Sequence, residues 1–171
     1  LREYCVDVAK RAKVAAAQLA GTGGEQKNAW LTGAAQALRS GSRELMAANE
    51  QDLNAAPGYG VTDAAMDRLR LDADRIDAIA LGLEEVSALP DPIGRVIESS
   101  VRPNGLDVRK VCVPLGVVFF VYESRPNVTA DAAAICIKSG NVVILRGGKE
   151  AQHSSRAIVN VLKDVARDVG L

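Results

Sequence analysis

The sequence is poor in the residues that most often build metal sites and disulfide frameworks. Its 171 residues include one histidine, His153, and three cysteines, Cys5, Cys112 and Cys136. The cysteines are odd in number and share no metal-ligand spacing, so we expect no metal site and no disulfide framework. Cys112 and Cys136 lie inside apolar runs, where a free thiol behaves as a small hydrophobic side chain. A reducing compartment fits this pattern best, and the cytoplasm is the expected location.

The sequence also lacks an excess of charge and a long apolar run. Lys and Arg together number 21, as do Asp and Glu, so the formal net charge is zero. This balance gives no electrostatic reason to expect nucleic acid or an anionic membrane as a partner. No apolar run approaches the roughly 20 residues that cross a bilayer. The amino terminus lacks the continuous apolar stretch of a signal peptide.

The first half of the chain, up to about residue 90, has the composition and periodicity of helices. The predicted helices cover residues 4–20, about 25–38, about 41–55 and about 73–89. Glycine- and proline-containing segments such as GTGG and LPDP end them. We expect Trp30, in the second helix, to be a core anchor rather than part of a binding site.

From residue 94 onward the apolar pattern becomes that of strands. The segment PNG at 103–105 is a hairpin-type turn signal between two candidate strands. Two continuous apolar runs follow, at 116–124 and 141–148, and both are expected to be strands buried on the two faces of a parallel sheet. The roughly 18 residues between them suit the helix of a right-handed βαβ crossover. A last helix is predicted over about 149–168.

These patterns predict an α/β fold in three parts. Helices over 1–93 precede a β-hairpin arm over 94–114, and residues 115–171 form the first part of a doubly wound, Rossmann-like parallel sheet. The arm has an exposed face, which makes it a candidate partner surface. A parallel pair with an exposed apolar edge is a poor free-standing fold. We therefore expect these residues to be the amino-terminal part of a longer protein.

Polar loops follow both strands of this parallel sheet, where ligands gather in open α/β sheets. In the second loop, Gly147 and Gly148 allow a tight turn and close approach to a ligand. Arg146 and Lys149 bring positive charge to the amino terminus of a helix, an arrangement that suits a phosphate. Glycines at strand-to-helix turns are often only structural, so two explanations stay open.

The first loop, ESRPN at 123–127, also allows two explanations. Asn127 or Thr129 could cap the crossover helix, with Asp131 favoured by the helix dipole. Asn127 could equally donate a hydrogen bond to an oxyanion in a cleft.

Capping does not explain why Glu123, Ser124 and Arg125 crowd together before it. An arginine at this position could bind an acyl phosphate or a carboxylate. The sequence contains no Ser-His-Asp set, HExxH motif or Cys-His pair that would identify a nucleophile. His153 is expected to be a solvated helix residue.

The segment VPLGVVFFVYESRPNVTADAAAICIKSGNVVILRGGKEA, residues 113–151, resembles the signature region of the γ-glutamyl phosphate reductase family, within the aldehyde dehydrogenase superfamily. The helical half is similar too, through ANEQDL, DRLRL, RIDAIALGLEEV and LPDPIG. The resemblance implies an oxidoreductase of proline biosynthesis that uses NADPH to reduce γ-glutamyl 5-phosphate to L-glutamate 5-semialdehyde, releasing phosphate. It also implies a nucleophilic cysteine in a second domain that this chain lacks. The isolated chain is therefore expected to be inactive.

Individual residues take roles from the same resemblance. Asn127 is similar to an asparagine that holds the oxyanion. Lys149 stands where NAD-preferring members often carry a glutamate that binds the ribose 2′-hydroxyl, so a cation there favours NADP(H). The cofactor-binding residues are expected to be Arg146, Gly147, Gly148 and Lys149. The substrate-binding residues are expected to be Glu123, Ser124 and Arg125.

The resemblance further implies a homo-oligomer, with glutamate 5-kinase as a pathway neighbour. Two alternatives stay open. One is a non-catalytic nucleotide-binding or assembly module of the same ancestry. The other is an acylating aldehyde dehydrogenase with a different acyl substrate, against which the ESRPN segment argues.

Overall fold

All 171 residues are described by the computed structural model, which contains seven α-helices and four strands. The helices are α1 (Arg2–Leu19), α2 (Gly24–Ser40), α3 (Ser42–Ala55), α4 (Asp63–Leu69), α5 (Ala73–Ala88), α6 (Pro126–Lys138) and α7 (Gln152–Asp168). The strands are β1 (Val96–Val101), β2 (Asp107–Val111), β3 (Val117–Val121) and β4 (Val142–Arg146). Short 3₁₀ turns cover Ala56–Tyr59 and Lys149–Ala151. The α/β fold class is confirmed, and each helix is too short or too polar to span a bilayer.

The helix α4 was not predicted from the sequence. It has only seven residues, DAAMDRL, which is too short for apolar periodicity to show. Its start is nevertheless well defined, because the side chain of Thr62 accepts a hydrogen bond from the amide of Ala65 at 3.3 Å. Asp72 caps α5 in the same way, accepting from the amide of Arg75 at 2.8 Å.

The strands form two separate pairs. The antiparallel pair β1–β2 surrounds the predicted turn, so the hairpin is confirmed. The parallel pair β3–β4 is joined through α6, which confirms the βαβ unit. The prediction that β3 and β4 are buried on both faces is wrong, because Phe119 and Val121 of β3 are each 65% exposed and β4 is only half-buried. β3 pairs with β4 alone, and α1 and α6 supply most of the packing against this two-stranded sheet.

The hydrophobic core lies among α2, α3, α5, α6 and α7. Leu31, Leu83 and Ile158 are completely buried there. Trp30 is a core anchor, as predicted: it is 3% exposed, and its Nε1 donates to the carbonyl of Leu162 at 3.0 Å. Because this core takes residues from both halves of the sequence, the helical half packs directly on the βαβ unit.

A buried polar network joins α3 to two distant segments. Asp52 Oδ2 accepts from the amide of Ser154 at 2.7 Å and from its hydroxyl at 2.6 Å, and Asp52 Oδ1 accepts from the amide of His153 at 3.0 Å. Asp52 therefore satisfies free N–H groups of the first turn of α7, where the helix dipole favours a negative charge. One turn earlier, Asn49 donates to the carbonyl of Leu69 at 2.8 Å and accepts from the amide of Leu71 at 2.7 Å.

A second network fixes the end of α6. Lys27 Nζ lies 2.7 Å from Asp91 Oδ2 and donates to the carbonyl of Lys138 at 3.3 Å. Lys138 Nζ donates to Asn28 Oδ1 at 2.7 Å and to the carbonyl of Ser87 at 2.8 Å. Burial lowers the pKa of Lys138. Burial is the largest single effect on Asp91 and opposes its ionisation. The hydrogen bonds from Lys27 and from the amide of Ile93, together with the charges of Lys27 and Lys138, outweigh burial and keep the pKa of this carboxyl below its usual value.

Replacing Asp52 with Asn is expected to lower the free energy of unfolding by about 2 kcal/mol, because a charged acceptor of three hydrogen bonds becomes neutral. Urea denaturation followed by circular dichroism measures the change. The control Asp168→Asn alters an exposed residue of α7 and is expected to stay within about 0.5 kcal/mol of the unchanged chain. Equal stability of the two variants would show that Asp52 is not a structural cap.

Candidate functional site

The loops that follow β3 and β4 lie side by side at one edge of the parallel sheet. Val121 pairs with Arg146, the last residues of the two strands. Beyond them, the amide of Tyr122 donates to the carbonyl of Arg146 at 3.1 Å. Ser124 Oγ then donates to Glu150 Oε2 at 2.7 Å. The structure thus brings the two loops that carry the sequence-predicted residues into direct contact.

Both glycines of the second loop are needed for this contact. A Cβ atom at Gly148 would lie 2.3 Å from Ser124 Oγ and 2.5 Å from Glu150 Oε2. A Cβ atom at Gly147 would lie 3.0 Å from the hydroxyl and Cζ of Tyr122. Neither glycine has a positive φ, so the backbone conformation does not require them. Of the two explanations left open by the sequence, the packing of the loops supports the structural one.

Charged side chains surround the second loop. Arg146 and Lys149 are exposed, and Lys149 Nζ lies 4.4 Å from the centre of the Tyr59 ring, a cation–π distance. The hydrogen bond from Ser124 lowers the pKa of Glu150, with smaller contributions from its own amide and from the charges of Lys149 and Arg146. Sequence reasoning missed Tyr59 and Glu150, since neither contact follows from the local pattern.

The helix α6 begins at Pro126, with Arg125 as its N-cap. The prediction that Asn127 or Thr129 caps this helix is therefore wrong; proline, whose φ suits the first helical position, sets the start one residue earlier than Asn127. Asn127 instead donates from Nδ2 to Asp131 Oδ2 at 3.0 Å. Burial raises the pKa of Asp131, although this hydrogen bond opposes the shift. Asp131 lies beyond the first turn, where the helix dipole has little effect.

Thr129 is completely buried at the base of the first loop. Its Oγ1 lies 2.7 Å from the hydroxyl of Tyr122 and donates to Ser155 Oγ at 3.2 Å. These contacts connect the end of β3, the first turns of α6 and the start of α7. Thr129 therefore holds the loop in place from inside the fold.

Two adjacent clefts open at this edge. Arg125 and Asn127 line a cleft of about 450 Å³. Glu123, Ser124 and Gly148 line a second cleft of about 420 Å³. Arg125 lines both, and so does Arg68 of α4, which sequence reasoning did not single out.

Arg146 and Lys149 line neither cleft. The structure therefore groups the predicted substrate residues around the clefts and leaves the two predicted cofactor-binding cations outside them. The basic character of DRLRL was the one sequence signal that could have identified Arg68.

None of the cysteines lines either cleft. Cys136 is buried in α6, as expected, and burial raises the pKa of its thiol. Cys112 is half-buried and Cys5 is exposed. The side chain of His153 is exposed on α7, as predicted. No group of three or more His, Cys, Asp and Glu residues is placed to hold a metal ion.

The curated relatives and the solved structures that resemble the chain point to the same family. No family model matches the chain. Over all 171 residues it is 58% identical to a γ-glutamyl phosphate reductase of Rhodopirellula baltica and spans 39% of that protein. It superposes on the crystal structure of γ-glutamyl phosphate reductase from Thermotoga maritima with a TM-score of 0.92 and 37% identity, over 95% of this chain and 39% of the other.

A more distant structure shares the fold. A probable aldehyde dehydrogenase from Listeria monocytogenes superposes with a TM-score of 0.73 at 17% identity, over 98% of this chain and 34% of the other. The chain thus has the fold of the corresponding part of an aldehyde dehydrogenase. It spans about two fifths of the length of the curated relatives that it matches.

Replacing Gly148 with Ala is expected to lower the free energy of unfolding by about 1 to 2 kcal/mol, because the added Cβ overlaps Ser124 Oγ. In a Ser124→Ala background the same change is expected to cost less, since the overlapping oxygen is gone. Gly58→Ala is the control, because its Cβ would meet nothing within 4 Å. Chemical denaturation of the four variants measures the coupling, and strictly additive losses at 124 and 148 would contradict the contact.

Proposed function

Because this chain belongs to the γ-glutamyl phosphate reductase family, we propose that it forms the amino-terminal part of an enzyme that reduces γ-glutamyl 5-phosphate to L-glutamate 5-semialdehyde with NADPH. The observation that carries the proposal is the 58% identity, over every residue of the chain, to a protein of that name. The shared aldehyde dehydrogenase fold supports oxidoreductase chemistry on an acyl or aldehyde carbon. The reaction is the second step of proline biosynthesis.

We assign NADP(H) to the loop after β4. Arg146 and Lys149 are exposed cations at the carboxyl end of a parallel strand, and such donors fit the phosphates of a dinucleotide. A cation at Lys149 also suits a ribose 2′-phosphate, which distinguishes NADP from NAD. Gly147 and Gly148 keep this backbone against the neighbouring loop. The bound cofactor would supply the hydride.

We assign the acyl substrate to the loop after β3. Arg125 brings a planar guanidinium to the cleft, which suits a carboxylate or phosphate, and Glu123 lies against it with a 2.6 Å ion pair. Ser124 connects this side to the cofactor loop through Glu150. Asn127 donates one amide hydrogen to Asp131, and the second hydrogen remains for the oxygen of the reacting carbonyl.

The nucleophile of the reaction is proposed to be a cysteine outside this chain, in a further domain. Thiolate is the reactive form of cysteine, and the buried Cys136 with its raised pKa is poorly suited to that role. The division into a helical segment over 1–93, an arm over 94–114 and the first NADP-binding βαβα unit over 115–171 belongs to the same proposal. So do assembly into a homo-oligomer, glutamate 5-kinase as a pathway neighbour and a cytoplasmic location.

The full-length protein containing this chain is expected to reduce NADP⁺ when given both L-glutamate 5-semialdehyde and phosphate. The 171-residue chain alone is expected to show no turnover, because it lacks the proposed thiol. Absorbance of NADPH measures both. A full-length protein that binds NADPH without turnover would instead support a non-catalytic nucleotide-binding module, and turnover by the chain alone would refute the placement of the nucleophile.

Replacing Lys149 with Glu in the full-length protein is expected to lower the ratio of kcat/KM for NADPH to that for NADH by about tenfold or more, because a carboxylate repels the 2′-phosphate. Initial rates with the two cofactors measure the ratio. Lys163→Glu, on the exposed side of α7, makes the same charge change away from the loop and serves as the control. An unchanged ratio in Lys149→Glu would place the 2′-phosphate elsewhere.

A further inference from the structure

The side chain of Arg68 lies in the wall shared by the two clefts, although it comes from α4 and not from either strand-end loop. Its helix is held in place by the bonds of Asn49 to Leu69 and Leu71 at the carboxyl end of α4. Arg68 therefore emerges from a fixed backbone next to Arg125, with half of its side chain exposed.

The charges around the larger cleft do not balance. Arg75 is committed to structural contacts: it pairs with Asp67 at 2.8 Å, lies 3.9 Å from Asp72 and donates to the carbonyl of Arg70 at 3.1 Å. These bonds hold the turn between α4 and α5. They also use the charge of Asp67, one of the two aspartates that line the cleft.

The other cations have few partners. Arg125 Nε lies 2.6 Å from Glu123 Oε1, and Arg68 lies 4.0 Å from the same oxygen, so one carboxylate serves two guanidinium groups. Arg125 Nε is buried and makes no aligned hydrogen bond, despite its short distance to Glu123. Arg70 lines the cleft and forms no ion pair. The remaining aspartate, Asp131, is hydrogen-bonded to Asn127.

We propose that Arg68 is a second substrate-binding residue, which together with Arg125 binds a carboxylate or phosphate group of the acyl substrate. This inference rests on the proposed function. Two guanidinium forks that share one carboxylate keep unused N–H donors, and their planar geometry matches the paired oxygens of such an anion. A γ-glutamyl phosphate carries both groups, and the cleft of about 450 Å³ has the size of a small-molecule site.

The test uses the full-length protein in the oxidative direction, where the two anionic groups enter on separate substrates. Arg68→Gln is expected to raise the KM for L-glutamate 5-semialdehyde or for inorganic phosphate by about tenfold. The expected kcat stays within about twofold, and the KM for NADP⁺ is unchanged, because an interaction that stabilises the ground state and the transition state equally affects KM alone. Arg68→Lys keeps the positive charge but loses the planar guanidinium, and its KM is expected to lie between that of the wild type and that of Arg68→Gln.

Arg43→Gln, an exposed arginine of α3 that lines neither cleft, is the matched control, and thermal melting confirms that each variant folds. In Arg68→Gln, a raised KM for the semialdehyde assigns Arg68 to the carboxylate, and a raised KM for phosphate assigns it to the phosphoryl group. An active enzyme with neither KM changed overturns the inference alone. An inactive wild-type protein overturns the proposed function instead. If the wild-type protein is inactive, calorimetric titration of wild type and Arg68→Gln with phosphate and with L-glutamate tests the inference. Equal affinities of the two proteins for both ligands would refute it.

Discussion

The buried carboxylate of Asp52 fixes the start of α7, on which the second loop at this edge of the sheet depends. It lies against the amino terminus of α7, which follows directly on the second loop, and so it determines where that loop ends. Asn49, one turn earlier on the same helix, holds the connection between α4 and α5. The α4–α5 side of the clefts and the end of the second loop are thus both positioned from a single helix, α3. A buried anion with several donors is stable only in one arrangement, which makes this reference point well defined.

Much of the fold could be predicted from the sequence because its signals are local. Long amphipathic helices, the PNG turn and two apolar runs separated by a helix all report on neighbouring residues. The seven residues of α4 carry no such period, and the start of α6 was misplaced because Pro126 outweighs Asn127 as a boundary signal. The apolar pattern of β3 shows that both of its faces are hydrophobic, but not which elements lie over them.

The candidate site was predictable only where its residues are close together in the sequence. Adjacency in the sequence was enough to group Glu123, Ser124 and Arg125, and the parallel strands placed the glycine loop beside them. The partners that connect these residues are distant in sequence: Glu150 is 26 residues from Ser124. Arg68 comes from α4, which precedes the hairpin arm in the sequence, whereas the first loop follows it. Such contacts depend on tertiary packing, which no local pattern records.

The close approach of Gly148 to Ser124 also limits how the two loops can diverge among related sequences. A larger residue at 148 can be accommodated only where 124 is smaller or the loops have moved apart, so the two positions cannot drift independently. Ser124 lies beside the residues proposed to contact the acyl group, and Gly148 lies beside those proposed to contact the nucleotide. A change in one loop that alters the preference for substrate or for cofactor is therefore constrained by the other loop, because there is no room for one additional methyl group between positions 148 and 124.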